Sequence, residues 1–428
     1  MLDVIGFTLG SFLMQILGQE PAKPETVPLV AWQEAKIFAV PTQSDPAVEA
    51  IVKNYLKGLA AQGVVQEQQG VWIQSEWADL ANNQGNIPVA AASLTKIATT
   101  LAVLDRWGAE HRFETQIYTT GALKNGVLRG DLVIQGNGDP LLVWEEAIAL
   151  GNALNEVGIH QVTGNLIVIG NFYLNFKSDP QSAGELFKQG SDVDLWDNEV
   201  VKQYQTLPPG TLRPKVAIAG TVQVGDKLPE NAQLILRHQS LKLAQILKQM
   251  NIYSNNEMAQ MLANSIGGAS VVAVMAARAA KVPAEEIQLI NGSGLSVDNR
   301  ISPHAVCQML IALERQLESQ SIKVADLFPV VGRDKQGTMQ QRILPAGITV
   351  KTGTLAQVSA LAGVIPTQER GQVWFALINH GGKIDKFRSE QDQLLQHLSQ
   401  HWHITPVSTI DTDKAFLGDP SRNIKVKE

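Results

Sequence analysis

The sequence contains a single cysteine, Cys307, among its 428 residues. No disulfide can form within one chain, so a buried core has to stabilise the fold. The formal net charge of −6 argues against a nucleic-acid partner, because proteins that bind nucleic acid are usually basic. The eight histidines show no metal-ligand spacing, and His401 and His403 are alternate residues near a predicted strand end, where a structural role is the commoner one. We therefore expect no metal and no cofactor.

The sequence also lacks a long apolar run. Residues 4–18 are largely apolar, which suits the apolar part of a signal peptide and is short for a membrane span. No lysine or arginine precedes Lys23, so the usual basic start is missing. We interpret residues 1–28 as an imperfect export signal or anchor plus linker, which predicts a periplasmic or cell-envelope location and membrane association through the N-terminus. A short buried N-terminal helix is the alternative.

Three short motifs occur in a fixed order. They are Ser93-Leu94-Thr95-Lys96, Ser254-Asn255-Asn256 and Lys351-Thr352-Gly353. Each motif alone has a plain structural explanation: a helix cap, a turn, or the end of a strand. A chain of this length holds about one copy of each of the first two patterns by chance. Their order and their local context make a shared function the better interpretation.

The local context differs for each motif. An apolar residue at every third or fourth position after Ser93 predicts a helix over residues 93–108. Ser93 and Lys96 are then neighbours on one helix face. Ser254 lies between two helical runs and therefore on a loop. Lys351 ends an extended run, which is typical of an edge strand. A helix, a loop and a strand can form three walls of one cleft.

Other segments extend the pattern. They are Gly130–Leu132, Gly136–Pro140, Gly158–Gly164, Asn291–Ser296 and Gly337–Met339. With the three motifs, they make the chain resemble the D-Ala-D-Ala carboxypeptidase/endopeptidase family, the class C low-molecular-mass penicillin-binding proteins, over roughly residues 30–400. The resemblance implies an α/β fold of the α+β type. It consists of a β-lactamase/transpeptidase-like domain, in which helices flank an antiparallel sheet, and of a mostly β inserted module.

Strand and turn patterns agree with such a division. Residues 28–40 and 70–77 indicate early strands, and residues 347–364 and 372–379 indicate later antiparallel strands. We predict five parts: an export signal or anchor with linker at 1–28, the first part of the penicillin-binding domain at 29–115, the inserted module at 116–237, the second part of the domain at 238–404, and a polar tail at 405–428. We expect the tail to be loose.

The resemblance implies a mechanism of acyl transfer. Ser93 is expected to attack a D-Ala carbonyl, with Lys96 as the base that takes its proton. Lys96 has to be neutral for this, and we expect burial and the nearby cation Lys351 to lower its pKa. Ser254 is placed to relay the proton to the leaving amine. Asn256 is expected to orient Lys96 and to hydrogen-bond the substrate.

The third motif is expected to bind substrate. Lys351 and Thr352 would hold the terminal carboxylate, and Gly353 and Thr354 would present backbone to the acyl group. The backbone N–H groups of Ser93 and Thr354 would form an oxyanion hole. The resemblance implies peptidoglycan stem peptides as substrates and β-lactams as covalent inhibitors. The same site can cut a chain end or a cross-bridge.

Three positions depart from the family pattern. Asn291 replaces the usual acid at the start of the Asn291–Ser296 segment, and Val297 replaces an arginine that follows it in some members. Asn171 stands where those members place an acid after a strand. We therefore predict that the protein recognises the side chain of the acyl-donor stem peptide differently from members that bind a free diaminopimelate end.

Three alternatives remain open. A serine β-lactamase shares the chemistry up to acylation, but the class A deacylation segment E-x-x-L-N is missing between residues 97 and 253. A non-catalytic wall-associated scaffold has no reason to keep all five polar residues of the motifs. A generic exported binding protein would match the motifs only by coincidence.

Overall fold

The computed structural model describes residues 45–320, 322–405 and 416–426. The expected strand over 28–40 and the apolar residues 4–18 lie outside the described residues. Within the described part, no single helix is long and apolar enough to cross a membrane. One pair of helices bent by 83°, Asn256–Ser265 and Ala269–Ala280, reaches that length and composition together.

The described chain contains both α-helices and β-strands. The α-helices are α1 Pro46–Ala61, α2 Thr95–Trp107, α3 Trp144–Glu156, α4 Pro180–Ser191, α5 Asn198–Tyr204, α6 Leu243–Tyr253, α7 Asn256–Ser265, α8 Ala269–Ala280, α9 Pro303–Leu317, α10 Val324–Leu327 and α11 Ile384–His401. The strands are β1 Gly70–Ser75, β2 Asp79–Asn83, β3 Val89–Ala90, β4 Glu114–Thr119, β5 Ala122–Lys124, β6 Val127–Arg129, β7 Leu132–Asn137, β8 Gln161–Val162, β9 Leu166–Asn171, β10 Ala217–Ile218, β11 Val222–Gly225, β12 Gln233–Gln239, β13 Ile287–Gln288, β14 Arg300–Ile301, β15 Thr349–Leu355, β16 Val358–Thr367, β17 Gly371–His380 and β18 Asn423–Lys425.

The central sheet has five antiparallel strands in the order β15-β16-β17-β1-β2. Successive side chains of a strand point to opposite faces. Ala360 and Ala362 therefore join the core on one face, while Leu361 and Ile365 join the core on the other. Helices α2 and α9 cover the first face, and α1 and α11 cover the second. The predicted antiparallel sheet flanked by helices is confirmed.

The elements that carry the three motifs meet at one edge of this sheet. Strand β15 is the edge strand, and it packs against the 3₁₀ turn Ala92–Leu94 that leads into α2. Ser254 ends α6 and lies directly before α7. The predicted helix start, interhelical loop and edge strand are confirmed. The fold thus brings together three segments that are far apart in the sequence.

Residues 116–237 contain helices as well as strands. Strands β7, β9 and β11 run parallel within a six-stranded sheet of order β11-β9-β7-β4-β12-β18. Parallel strands need long crossover connections, usually helical. Helix α3 lies between β7 and β9, and helices α4 and α5 lie between β9 and β11. The prediction of a mostly β module missed these three helices, and the division of the chain into five parts stays a prediction.

The C-terminal segment completes that six-stranded sheet. Strand β18 pairs antiparallel with β12, so that Ile424 lies opposite Arg237. The guanidinium of Arg422 is under a tenth exposed and bonds the buried carboxylate of Glu146 on α3. The same carboxylate oxygen accepts a hydrogen bond from the backbone N–H of Gly418 at 3.1 Å. The expectation of a loose tail is therefore wrong for residues 416–426.

We predict that Arg422→Ala lowers the free energy of unfolding by about 3 to 5 kcal/mol, because it leaves the buried Glu146 carboxylate without its cationic partner. Lys425→Ala serves as the matched control. Its ion pair with Glu156 is about half exposed, so we expect a loss of less than about 1 kcal/mol. Urea unfolding of both variants measures the difference. Equal, small effects would contradict a stabilising role for the C-terminal segment.

Candidate active site

Ser93 lies in a tight turn at the start of α2. The preceding residue, Ala92, has a φ of +48°, in the left-handed region that a side chain normally avoids. Gly294, whose φ is +85°, packs its backbone against the carbonyl of Ala92 so closely that a Cβ there would collide with it. The strained turn is thus held by a neighbouring loop. It keeps Ser93 partly exposed at the cleft, while the next residues of α2 are buried.

Lys96 lies one helical turn after Ser93 and is fully buried. Its Nζ lies 3.2 Å from the Ser93 Oγ, 2.8 Å from the Oδ1 of Asn256 and 2.7 Å from the carbonyl oxygen of Ser293. Burial lowers the pKa of Lys96 from 10.5 to about 7, against an opposing effect of the Glu257 carboxylate. A lysine with this pKa can accept a proton from the serine near neutral pH.

Lys351 and Ser254 form a second pair in the same cleft. Lys351 is 1 % exposed, and its Nζ lies 2.9 Å from the Ser254 Oγ and 2.8 Å from the carbonyl oxygen of Thr352. Ser254 ends α6 in the left-handed conformation, with a φ of +54°, which turns the chain towards α7. Burial, and after it the charge of Lys96, hold the pKa of Lys351 well below 10.5.

The effect of one lysine on the other differs from the expectation. We expected the charge of Lys351 to lower the pKa of Lys96. In the structure, burial is the main cause for Lys96, and the charge that acts on it comes from Glu257 and raises its pKa. The charge of Lys96 instead lowers the pKa of Lys351. The predicted neutral lysine follows mainly from desolvation.

Gly353 allows β15 to approach the start of α2. A Cβ at this position would lie 3.0 Å from the backbone nitrogen of Ser93, which is tighter than nearly all Cβ contacts in proteins. The neighbouring hydroxyls point to other partners: Thr352 Oγ1 lies 2.6 Å from Thr338 Oγ1, and Thr354 Oγ1 accepts a hydrogen bond from Arg388 at 3.1 Å. The oxyanion hole predicted from the N–H groups of Ser93 and Thr354 stays a prediction.

The loop of residues 291–296 contacts Lys96 through the carbonyl oxygen of Ser293. The Oδ1 of Asn291 accepts hydrogen bonds from the N–H groups of Ser293 and Gly294 at 3.1 and 2.8 Å and from the Asn299 side chain at 3.0 Å. These bonds fix the carbonyl of Ser293 towards Lys96. The sequence does not predict this contact, because a backbone carbonyl leaves no side-chain signal.

All eight predicted site residues lie in or beside one cleft of about 460 Å³. Ser93, Ser254, Asn256, Thr352 and Thr354 line it, whereas Lys96 and Lys351 lie beneath their serines and Gly353 lies between two lining threonines. Further lining residues were not predicted as site residues, among them Tyr253, Leu295, Thr338, Gln340, Arg342 and Arg388. Thr338 belongs to the Gly337–Met339 segment, which is part of the family resemblance, whereas Arg388 belongs to no motif.

Nothing in the described ranges resembles a metal centre. Among residues 45–320, 322–405 and 416–426, no three His, Cys, Asp or Glu side chains are grouped so that they could hold an ion. Cys307 is buried in α9, where burial raises its thiol pKa well above 9.0. The expectation that the protein needs no metal or cofactor stays a prediction.

Solved structures with the same fold are known. A penicillin G-acylated predatory endopeptidase from Bdellovibrio bacteriovorus is 20% identical, with a TM-score of 0.71 over 83% of this chain and 99% of the other. Penicillin-binding protein 4 from Haemophilus influenzae is 19% identical, with a TM-score of 0.57 over 81% of this chain and 99% of the other. The protein therefore has the β-lactamase/transpeptidase-like fold.

Sequence comparison narrows this fold class. The chain is 26% identical to a D-alanyl-D-alanine carboxypeptidase of Actinomadura sp. (strain R39) over 427 residues, which covers 76% of this chain and 79% of the relative. It matches the D-Ala-D-Ala carboxypeptidase 3 (S13) family over residues 52–175 and 210–401, and it belongs to that family. The unmatched residues 176–209 hold α4 and α5.

We predict that the rate at which benzylpenicillin acylates the protein rises about tenfold between pH 6 and pH 8 and then levels off. Only neutral Lys96 can accept the Ser93 proton, and with a pKa of about 7 its neutral fraction grows from about a tenth to about nine tenths over this range. Stopped-time intact-mass measurements give the rate.

Lys96→Arg is the control for this pH profile, because an arginine stays charged at every pH used. It should show no acylation at any of them. A wild-type rate that is flat from pH 6 to pH 8 would contradict the assignment. A rate that keeps rising tenfold per pH unit beyond pH 9 would do so as well, because it would indicate an unshifted lysine.

Proposed function

We propose that the protein is a serine-type D-Ala-D-Ala carboxypeptidase/endopeptidase that acts on peptidoglycan stem peptides through an acyl-enzyme on Ser93. One observation carries the proposal: two serine–lysine pairs, Ser93 with Lys96 and Ser254 with Lys351, face the same cleft at 3.2 and 2.9 Å. One pair can activate a nucleophile, and the other can deliver a proton to the leaving group. Membership of the family agrees with this chemistry.

In the proposed acylation step, Ser93 Oγ attacks the carbonyl carbon of the penultimate D-Ala while Lys96 Nζ takes the hydroxyl proton. The negative charge that develops on the carbonyl oxygen is stabilised by the N–H groups of Ser93 and Thr354. Such a donor typically contributes about 100- to 1000-fold to kcat. Asn256, whose Oδ1 lies 2.8 Å from Lys96 Nζ, keeps the lysine amine directed towards the serine.

The tetrahedral intermediate then collapses with departure of the D-Ala amine. Ser254 donates its hydroxyl proton to the leaving nitrogen and is reprotonated from the neighbouring lysines. Water hydrolyses the ester on Ser93 in the second half of the reaction, which restores the free serine. A leaving group that is a single terminal residue makes the reaction a carboxypeptidase step, and a leaving group within a cross-bridge makes it an endopeptidase step.

Peptidoglycan lies outside the cytoplasmic membrane, so this substrate requires an exported protein. We propose a periplasmic or cell-envelope location, with the N-terminal residues 1–28 as the export signal or membrane anchor. The β-lactams are expected to act as covalent inhibitors, because they present an acyl group to the same serine. The alternative, a serine β-lactamase, differs only in how fast water releases the drug.

We predict that wild-type protein forms a stable adduct with benzylpenicillin and that Ser93→Ala forms none, because the variant lacks the attacking oxygen. Intact-protein mass spectrometry measures the adduct. Ser389→Ala, a change at an exposed serine of α11, is the matched control and should behave as wild type. Rapid drug hydrolysis without an adduct would favour the β-lactamase. If wild type shows neither an adduct nor drug hydrolysis, the result would contradict the proposed enzyme and favour the non-catalytic wall-associated scaffold.

The donor side chain gives a second test. Val297 is 57% exposed and Leu295, which lines the cleft, is 65% exposed, so these two positions present apolar groups and no cation. Asn171 ends β9 without a charge. We therefore predict less than about a threefold preference in kcat/KM for a donor with a free diaminopimelate end over one without it. A preference above about a hundredfold would contradict this interpretation.

A further inference from the structure

A terminal carboxylate in this cleft requires a cation that is exposed and not already neutralised. Three cationic side chains lie in or beside the wall formed by β15 and α11: Lys351, Arg342 and Arg388. Charged hydrogen bonds to a carboxylate are about twice as strong as neutral ones, and arginine can bind both oxygens at once. The three side chains differ in how far they are free to do this.

Lys351, the residue that the motif predicts for this role, already uses most of its hydrogen-bond donors within the protein. Two of the three donors on its Nζ are directed at Ser254 Oγ and at the carbonyl of Thr352, and the side chain is 1 % exposed. Burial also keeps its pKa well below 10.5. Its position suits proton transfer with Ser254 better than recognition of a carboxylate.

Arg342 is already paired with a carboxylate of the protein. Its Nε and Nη2 bond the carboxylate of Asp392 at 2.8 and 2.6 Å, and its Nη2 also lies 3.1 Å from the side-chain oxygen of Gln391. The Arg342 side chain is only 3% exposed. This ion pair ties the loop before β15 to α11. It leaves little charge for a ligand in the cleft.

Arg388 is different. It lines the cleft, is partly exposed, and projects from α11 towards β15, where its Nη2 donates to Thr354 Oγ1 at 3.1 Å. Within the part of the chain that the structure describes, no carboxylate lies within ion-pair distance of Arg388. A guanidinium stays protonated in proteins and has five N–H donors, so most of its donors remain available for a ligand.

We propose that Arg388, together with the Thr352 and Thr354 hydroxyls, binds the free carboxylate of the substrate's leaving residue. The inference rests on the proposed function and specifies how that site selects its substrate. Arg388 stands on a long helix packed against the central sheet, which holds the guanidinium in place before the substrate arrives. A leaving residue whose carboxylate is blocked would lose this contact and bind less well.

Two forms of one drug test the proposal: benzylpenicillin, which has a free carboxylate, and its methyl ester, which has none. The acylation rate constant at low drug concentration is measured by intact mass for wild type, Arg388→Ala and Arg388→Lys. For Arg388→Ala, we expect the rate with the acid to fall about 10- to 100-fold and the rate with the ester to stay within about threefold. Arg388→Lys should restore part of the loss.

Lys386→Ala is the matched control, because it removes an exposed positive charge from the same helix at a residue that does not line the cleft. It should leave both rates unchanged. Equal losses on acid and ester in Arg388→Ala would overturn the role of Arg388 and leave the proposed function intact. No acylation of wild type by either drug would overturn the proposed function, and this inference with it.

Discussion

The burial of two lysine amines at the base of one cleft is the constraint on which the site depends. Water would keep both amines charged at neutral pH, and a charged lysine cannot accept a proton. Lys96 loses its solvent shell inside the packed start of α2, which brings its pKa to about 7. Few polar groups replace that water, namely the Ser93 hydroxyl, the Asn256 side chain and the Ser293 carbonyl, so the amine is oriented without being held charged.

This constraint explains why the site needs so much of the fold. The cleft has one wall from the start of α2, one from the loop between α6 and α7, and one from the edge strand β15. The central sheet is covered by apolar cores on both faces, which fixes β15 against α2. Gly353 permits the close approach of β15 to the backbone of Ser93, and Gly294 permits the close approach of its loop to the carbonyl of Ala92. Recognition of the substrate is left to the exposed side of the cleft, where Arg388 lies.

Much of the site was predictable, because side chains that act together occur in short fixed patterns. The i, i+3 spacing of Ser93 and Lys96 and the order of the motifs identify the catalytic candidates from the sequence alone. The Ser293 carbonyl was not predictable, since a backbone group has no sequence signal, and neither was Arg388, which is brought to the cleft only by the packing of α11. The three helices of residues 116–237 were missed because glycines and asparagines were interpreted as turns. The strand Asn423–Lys425 was missed because its partner β12 lies far away in the sequence.

The most direct test is to titrate the Lys96 amine itself. The side-chain ¹³Cε resonance of Lys96 can be followed by NMR from pH 5 to pH 11 in protein with labelled lysine, and assigned by its loss in Lys96→Arg. We predict a midpoint near pH 7, far below that of an exposed lysine. A midpoint above pH 10 would contradict the neutral-lysine mechanism, because Lys96 would then be charged whenever the enzyme works.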